Sequence, residues 1–502
     1  MTMTEAPAAA TELGRAAPPR PAARRRLITA TVVTGLVWTG ILLARLLAGG
    51  AIGMGDQGDG RRLMCQLGVR MNAPFDANPS AYLYPTYVAH DWYGEACSAD
   101  GAAGGLYRSS ELALLSLAKL LTPALGLPGA LDLRALGVLC AVLTGLVVGA
   151  LVLVVPGSLL LRVSIASLVG LLAADSAVAQ YFLSPYSEPA GLLAFLALCP
   201  ALLLLWRRGH TTWPALAAVG FVSAIALGAK TQTAGLLPAL LVAVLWLPHH
   251  RRRRNWVLAR IPGLALSALL VGLAAYFVAT SPVGFAQQSV YAQVFGTILP
   301  NSSDPVADLR SLGADPSLAD AVGTNPESPN AASQRLEYLQ FREDVTTGKI
   351  LVFYLTHPGQ LLAAGSDGLA AVARWRQDYL GSYQPDSGQR PRAIESRVHV
   401  YGSLFRGAFP PLLVLFWLGS IYVGIRTVRD RRLSDPEKAL GRLAIVLAAG
   451  AFAQFWTVLL TAGFPDIYKR MIFTNLLLAL GLPVMIACTA VRARTFFTRV
   501  KA

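Results

Sequence analysis

Charged residues are scarce in this chain. They make up 14% of its 502 residues, whereas an average soluble domain contains about 25%. Hydrophobic residues make up 54% of the chain, and the mean hydropathy is +0.50. This composition excludes an ordinary soluble globular protein and predicts an integral membrane protein with several spans.

Cysteine is also rare, and the five cysteines show no metal-ligand spacing. Cys140, Cys199 and Cys488 fall within apolar segments, where a thiol behaves as a small hydrophobic group. Cys65 and Cys97 differ because both fall in one polar stretch. For these two cysteines, the side of the membrane on which they lie decides whether a disulfide can form.

The formal net charge of +15 does not predict a nucleic acid partner. The basic residues occur in short clusters between apolar runs, and they do not form one basic polar domain. Short basic clusters beside membrane spans are typical of loops held on the cytoplasmic side. We therefore expect the lipid bilayer, and no nucleic acid, as a partner.

The N-terminal region predicts a tail followed by a first span. Residues 1–26 are rich in Ala, Pro and Thr and end in Arg24, Arg25 and Arg26, which predicts a disordered cytoplasmic tail. Leu27–Ala48 has the ~20 apolar residues that a span requires. No small-residue cleavage site follows, which favours an uncleaved span over a signal peptide.

Further apolar runs predict about ten transmembrane helices in all. They are Ala135–Val155, Val163–Ala179, Ala190–Trp206, Trp213–Gly228, Ala234–Leu247, Ile261–Thr280, Leu412–Ile425, Leu443–Thr461 and Ile472–Cys488. The predicted fold class is thus an all-α polytopic membrane protein.

Threading the chain from a cytoplasmic start gives an orientation that the charges support. It places five basic clusters in the cytoplasm, namely Arg162, Arg207–Arg208, Arg251–Arg254, Arg426–Arg432 and Arg492–Lys501. The protein is then divided into a transmembrane module (27–280) with its first extracytoplasmic loop at 49–132, an extracytoplasmic helical segment (281–410) acting as a lid, C-terminal transmembrane helices (411–491) and a cytoplasmic tail (492–502). Both termini are expected in the cytoplasm.

The first extracytoplasmic loop contains one apolar stretch of its own. Ser109 and Ser110 followed by Glu111 are typical of a helix start, and the stretch continues to Leu127. It is short for a span, which predicts a helix that lies on the membrane surface or re-enters it. Cys65 and Cys97 belong to the same oxidising-side loop, so we predict a disulfide between them.

A glycine-rich turn carries two carboxylates directly after the first span. In the stretch Gly53-Met54-Gly55-Asp56-Gln57-Gly58-Asp59-Gly60-Arg61-Arg62, charged groups stand beside a bilayer, where they cost free energy unless they are used. One carboxylate can accept a proton from an attacking hydroxyl group, and the second can hold the first or bind a divalent metal ion. The alternative is a solvated polar turn that ends the first helix.

This stretch resembles the GT-C class of polyprenyl-phosphosugar-dependent glycosyltransferases. The order Gly55-Asp56-Gln57-Gly58-Asp59 followed by Arg62 is similar to the Gly-Asp-x-Gly-Asp-x-x-Arg signature of the bacterial glycan hexosyltransferase family of the WsfD type. The resemblance implies that Asp56 is the catalytic base and that Asp59 assists it. At Lys469-Arg470-Met471 the chain departs from the family, in which a basic residue is followed by histidine.

Several other polar residues are candidates for binding phosphate or sugar. Arg62, Lys469 and Arg470 lie at the outer face of predicted spans, against the positive-inside trend, and their side chains can donate to phosphate oxygens. His357, before Pro358, is a further phosphate candidate, and Glu188, between two prolines, is a candidate for sugar hydroxyl groups. The alternatives are contacts with lipid headgroups, a helix start at His357 and an ordinary turn at Glu188.

Together these features predict a hexosyltransferase of the GT-C type in a bacterial plasma membrane. The transfer is expected to invert the configuration at the anomeric carbon of the sugar. The donor would be a polyprenyl-phosphate-linked sugar and the acceptor a cell-envelope glycan or glycolipid. A divalent metal held by Asp56 and Asp59 is the one cofactor considered. A transporter or flippase of lipid-linked glycans is the alternative, although transporters tend to place charges near the bilayer midplane.

Overall fold

The computed structural model is a bundle of helices with one small sheet. The residues it describes are 21–50, 60–72, 84–92, 106–207, 212–246, 260–376, 383–390, 393, 395–406, 408, 410–464 and 467–500.

In chain order, the helices are α1 (Pro21–Leu47), α2 (Arg61–Met64), α3 (Glu111–Ala124), α4 (Leu133–Val154), α5 (Leu159–Ala174), α6 (Ser176–Ala179), α7 (Glu188–Trp206), α8 (Trp213–Ala229), α9 (Leu237–Leu245), α10 (Ile261–Ala279), α11 (Val283–Gln293), α12 (Pro305–Leu312), α13 (Glu337–Asp344), α14 (Thr347–Thr356), α15 (Pro358–Ala373), α16 (Val400–Arg406), α17 (Pro410–Arg429), α18 (Asp435–Thr461), α19 (Ile467–Arg470) and α20 (Ile472–Val500).

The prediction of a polytopic α-helical membrane protein is confirmed. Among the described residues, seven helices are long and apolar enough to cross a bilayer: α1, α4, α7, α10, α17, α18 and α20. An eighth span is added if Leu159–Ala174 and Ser176–Leu183, which meet at a bend of 54°, are counted together. Two predicted runs form shorter apolar helices, Trp213–Ala229 and Thr231–Leu245, which explains why the predicted number was about ten.

Two basic loops lie at the same end of the bundle. The guanidinium groups of Arg162 and Arg207 both donate to the carbonyl oxygen of Leu153, at 3.2 and 3.1 Å, near the end of α4. Helix α4 begins at the opposite end of the bundle, after Asp132. We call that opposite end the outer end.

A three-stranded antiparallel sheet at the start of α4 was not predicted from the sequence. Its strands are β1 (Val69–Met71), β2 (Thr86–Ala89) and β3 (Leu131–Asp132), in that spatial order. The Asp132 carboxylate accepts a hydrogen bond from the Arg134 backbone N–H at 2.9 Å and caps α4. The sheet therefore ties part of the first loop to a transmembrane helix.

Helix α3 begins at Glu111, as predicted, and has the length of a surface or re-entrant helix.

A buried ion-pair network fixes the outer end of α1. Arg45, which is almost fully buried, pairs with Glu395 and donates to the Ser176 hydroxyl group at 2.8 Å. Glu395 also pairs with Arg397 at 2.9 Å, and Arg397 donates to the carbonyl oxygen of Ala48 at 2.7 Å. The first span is thus joined to α6 and to the segment before α16.

Helices α1 and α4 are in backbone contact through glycine. A Cβ atom on Gly145 would overlap the Thr39 hydroxyl group and lie 2.7 Å from the Gly35 carbonyl oxygen, and one on Gly149 would lie 3.1 Å from the Thr31 carbonyl oxygen. Small residues spaced by four allow this approach in membranes, where packing and hydrogen bonds, more than the hydrophobic effect, hold helices together.

Replacing Gly145 by alanine should therefore lower the apparent melting temperature in detergent, by the equivalent of about 1–3 kcal/mol, because the methyl group overpacks the contact. Gly40→Ala on α1 is the matched control, since a Cβ atom there meets nothing within 4 Å. Equal melting temperatures for the two variants would show that α1 does not pack on α4 in this way.

Candidate functional site

A cavity of about 620 Å³ lies at the outer end of the bundle. Of the described residues that line it, four carry a positive charge and one a negative charge. They are Arg62, Lys230, Lys469, Arg470 and Glu188. The structure thus brings together four residues that the sequence singled out separately, Arg62, Glu188, Lys469 and Arg470, and adds Lys230.

Glu188 and Lys230 form an ion pair at the wall of the cavity. The Glu188 side chain is 1% exposed, begins α7 and receives the Lys230 Nζ at 2.7 Å. Burial lowers the pKa of Lys230, and the positive charges of Lys469 and Arg470 lower it further, while Glu188 opposes both effects. Of the groups around Lys230, Glu188 is the one that favours its charged form.

The segment before α3 joins the helix ends that carry this pair. The hydroxyl groups of Ser109 and Ser110 donate to the carbonyl oxygens of Ala229 and Ile225, at 2.6 and 2.8 Å. These carbonyl groups belong to the C-terminal end of α8, immediately before Lys230. The Ser109 hydroxyl group therefore satisfies one of the last four carbonyl groups of α8, which have no intrahelical partner, and Ser110 adds a second contact one turn earlier.

Glu111 performs the corresponding function at α7. Its carboxylate accepts a hydrogen bond from the Ala190 backbone N–H at 2.6 Å, within the first turn of α7. Burial raises the pKa of Glu111 well above its usual value, the hydrogen bond from Ala190 opposes this rise, and the charge of Glu188 adds to it. Glu111 thereby fixes the backbone from which Glu188 reaches Lys230.

Aromatic rings and polar groups position the other three cations. The Lys469 Nζ lies 3.6 Å from the centre of the Tyr186 ring, and the Arg62 guanidinium lies 4.2 Å from that of Phe285. These are cation–π distances, which stabilise a positive charge without neutralising it. Arg470 lies close to Ser289, with 3.5 Å between Nη1 and the hydroxyl oxygen.

The two predicted catalytic residues, Asp56 and Asp59, lie outside the described residues, so their roles remain predictions. Arg62 follows Asp59 by three positions in the sequence. Within the described part of the chain, no group of three or more His, Cys, Asp or Glu side chains is arranged to hold a metal ion. Metal binding by Asp56 and Asp59 is likewise still a prediction.

The structure does not bring His357 to this cavity. His357 lies between α14 and α15, where its Nδ1 is 2.9 Å from the Phe353 carbonyl oxygen and its ring stacks on the Phe353 ring at 4.1 Å. It is absent from the described lining residues. At this position the side chain contacts the end of α14, as expected of a residue that precedes a helix.

A second cavity, of about 1250 Å³, adjoins the first and is almost wholly apolar. It lies between α9, α15, α17 and α18. Trp456 of α18 lines the apolar cavity and the next residue, Thr457, lines the polar one. On the facing segment, Ala234 lines the polar cavity and Pro238 the apolar one. A ligand with a charged end and a long apolar chain fits such a pair.

Sequence reasoning missed several lining residues. Tyr107 and Tyr186 lie in loops, and Gln288 and Ser289 lie within α11. All four are neutral, and nothing in their local sequence separates them from ordinary surface residues. The sequence does mark Lys230 as a candidate, because an ionisable residue at the end of an apolar run needs a partner. The sequence does not say which carboxylate that partner is.

Comparison with known proteins identifies one family. The model described as the YfdI N-terminal transmembrane domain matches residues 20–501. The match covers nearly the whole chain, so the chain belongs to this family, which is a GT-C-like glycosyltransferase family. No curated protein and no solved structure matches the chain.

The predicted disulfide can be tested directly. Cys65 is disulfide-bonded, and Cys140, Cys199 and Cys488 are free thiols. Cys97, the predicted partner of Cys65, lies outside the described residues. Mass spectrometry after non-reducing digestion should recover a peptide pair that joins Cys65 to Cys97. Recovery of both cysteines as free thiols would contradict the prediction.

The charge balance of the cavity predicts unequal effects of neutralising Glu188 and Lys230. Glu188→Gln should destabilise the protein by on the order of 3 kcal/mol, because it removes the counter-charge from a group of partly buried cations. Lys230→Met should cost less, because it also removes repulsion from Lys469 and Arg470. Apparent melting temperatures measure both effects.

The double variant Glu188→Gln/Lys230→Met should be more stable than Glu188→Gln alone. The exposed pair Asp320–Arg335 provides the control, and Asp320→Asn should change the melting temperature little. A larger loss for Lys230→Met than for Glu188→Gln would show that repulsion among the cations does not dominate.

Proposed function

We propose that this chain, as a member of the YfdI N-terminal transmembrane domain family, is a membrane hexosyltransferase that uses a polyprenyl-phosphate-linked sugar. The acceptor is a cell-envelope glycan or a lipid-linked glycan on the extracytoplasmic face. The observation that supports this proposal most directly is the polar cavity, whose described lining residues include four cations and one carboxylate.

The excess of positive charge supports binding of a phosphate group. Arg62 lies in α2, and Lys469 and Arg470 lie in α19, so two separate segments bring three cations to one cavity of about 620 Å³. Cations this close together repel one another. An anion with several acceptor oxygens offsets the electrostatic cost of that repulsion. Arginine presents a planar fork to these oxygens, and lysine a point charge.

The adjoining apolar cavity supports a lipid-linked donor over a free sugar phosphate. An isoprenoid chain can occupy the space of about 1250 Å³ between α9, α15, α17 and α18 while its phosphate reaches the polar cavity. Each buried CH₂ group contributes roughly 0.8 kcal/mol. This contribution favours a carrier that remains in the membrane throughout the reaction.

Asp56 is the proposed base. As the acceptor hydroxyl oxygen attacks the anomeric carbon of the sugar, its proton passes to the Asp56 carboxylate. The new carbon–oxygen bond forms on the face opposite the phosphate, and the old bond to the phosphate oxygen breaks, which inverts the configuration. The electron pair leaves with the polyprenyl phosphate, whose charge Arg62, Lys469 and Arg470 stabilise. Asp59 orients Asp56, or binds a divalent metal ion beside the phosphate.

Glu188 is proposed to bind sugar hydroxyl groups from the wall of the cavity. Its second carboxylate oxygen, Oε2, is 3.5 Å from the Ser187 hydroxyl group, which in turn lies 3.3 Å from that of Tyr107. Such a row of neutral and charged hydrogen-bonding groups suits a polar, uncharged ligand. The other carboxylate oxygen, Oε1, accepts the hydrogen bond from the Lys230 Nζ at 2.7 Å.

We further propose that the outer end of the bundle faces away from the cytoplasm of a bacterium. The basic loops at Arg162 and Arg207 lie at the other end, as the positive-inside rule requires of cytoplasmic loops. Nucleotide sugars are confined to the cytoplasm, so an extracytoplasmic site calls for a sugar carried on a lipid.

The test is transfer from a radiolabelled polyprenyl-phosphate hexose to a lipid-linked acceptor by purified protein in nanodiscs. Asp56→Asn should reduce the rate by about 10²–10⁴-fold, because it removes the base but not the shape of the side chain. Binding of the donor should persist in this variant. Arg470→Gln should instead weaken binding of the donor, since it removes a proposed phosphate ligand.

Asp320→Asn, far from the cavity lining, should retain the wild-type rate and affinity. A wild-type rate in folded Asp56→Asn protein would exclude this base. Movement of labelled lipid across a liposome membrane without sugar transfer would instead support the transporter alternative.

A further inference from the structure

The pair of helices α14 and α15 belongs to the segment that the sequence predicts as an extracytoplasmic lid. One side of the pair is packed and the other is exposed. Leu351, Val352 and Leu355 of α14 are exposed, with Leu355 at 79%, and Leu362 of α15 is 74% exposed. Large apolar groups at positions i, i+1 and i+4 of a helix share one face. The pair therefore presents an apolar surface to its surroundings.

The packed side of α15 lies against a transmembrane helix. A Cβ atom on Gly368 would be 2.8 Å from Leu459 and 3.0 Å from Phe455, and one on Gly365 would be 3.6 Å from Trp456, all three on α18. Glycine thus lets the two helices approach closely. Since α18 ends at Thr461, six residues beyond Phe455, this contact reaches about 9 Å along the helix axis from its outer end.

Helix α14 is fixed at the level where α18 ends. The Tyr354 hydroxyl group donates to the Gln293 side-chain oxygen at 3.1 Å. The Gln293 amide nitrogen donates to the carbonyl oxygens of Leu459 and Ala462, at 2.7 and 2.6 Å. Leu355, the next residue after Tyr354, is exposed on a different face of α14. Leu355 therefore lies near the level at which the span α18 ends.

The apolar cavity supplies a further link to the membrane. Leu362, Gly365 and Leu369 of α15 line it together with residues of the spans α17 and α18, such as Leu415 and Phe452. Leu415 and Phe452 are themselves among the exposed apolar residues of these spans. The exposed face of α15 is thus continuous with the lipid-facing surface of the bundle.

We infer that α14 and α15 are embedded in the outer leaflet, with Leu355 and Leu362 in contact with phospholipid acyl chains. Burying these side chains in hydrocarbon removes apolar area from water, which an aqueous lid would leave exposed. The pair then forms a wall of the apolar cavity within the membrane. This placement holds whether or not the chain transfers sugar.

Site-directed spin labelling in phospholipid nanodiscs tests this placement. Labels on Leu355→Cys and Leu362→Cys are compared with Leu269→Cys, on an exposed face of the span α10, and with Ser311→Cys, on an exposed position of α12. Collision rates are measured with oxygen, which concentrates in lipid, and with a neutral nickel chelate, which stays in water. Unmutated protein corrects for labelling of the native cysteines.

Labels at 355 and 362 should show an oxygen-to-nickel collision ratio several-fold higher than the label at 311 and similar to that at 269. A ratio like that at 311 would overturn the inference and place the pair in water. Low collision rates with both reagents would also overturn it. In that case spin–spin broadening would identify a second copy of the chain as the occupant, and its absence would show that another part of the same chain covers this face.

Discussion

The ion pair between Glu188 and Lys230 is the interaction on which the polar cavity depends. Lys469, Arg470 and Arg62 line the same small space, and each additional cation raises the free energy of the others. Glu188 lowers that free energy from a fully buried position, which is possible only because α7 begins at the wall of the cavity. Glu111 holds that helix start through the Ala190 N–H, and Ser109 and Ser110 hold the end of α8. A few hydrogen bonds at helix ends therefore set the electrostatics of the site.

The sequence predicted the composition of this site better than its geometry. Arg62, Lys469 and Arg470 were identified because basic residues at the outer ends of spans oppose the positive-inside trend, and such exceptions need a reason. Glu188 was identified as a candidate because it stands between two apolar runs. The pairing of Glu188 with Lys230 was not predictable, because it depends on which helix ends meet in space. Asp175, an ionisable residue at the end of another apolar run, instead accepts hydrogen bonds from the backbone N–H groups of Tyr401 and Gly402.

In the fold, too, sequence patterns predict some features, whereas others depend on how the elements pack. Long apolar runs such as Leu133–Val154 have one physical solution in a bilayer, so hydropathy predicts them well. The sheet escaped prediction because its strands are two to four residues long, too short for a visible alternation of polar and apolar residues. The depth of α15 escaped prediction for another reason. Its sequence is amphipathic, and the inferred place in the leaflet rests on contacts that the sequence does not show, those of Gly368 with α18 and of Tyr354 with Gln293.

The position of the charges relative to the spans bears on the choice between catalysis and transport. Arg62 follows the first span, Glu188 begins α7, Lys230 follows α8, and Lys469 and Arg470 precede α20. All the charged residues described at this cavity thus lie at helix ends and not near the middle of a span, where an ionisable group costs most. In the proposed function, the donor's phosphate is held at these helix ends while its chain stays in the apolar cavity. Carrying the phosphate across the membrane would require comparable charges deeper in the bundle. An acceptor arriving from the aqueous side, by contrast, can meet the sugar at this boundary without any charged group entering the hydrocarbon.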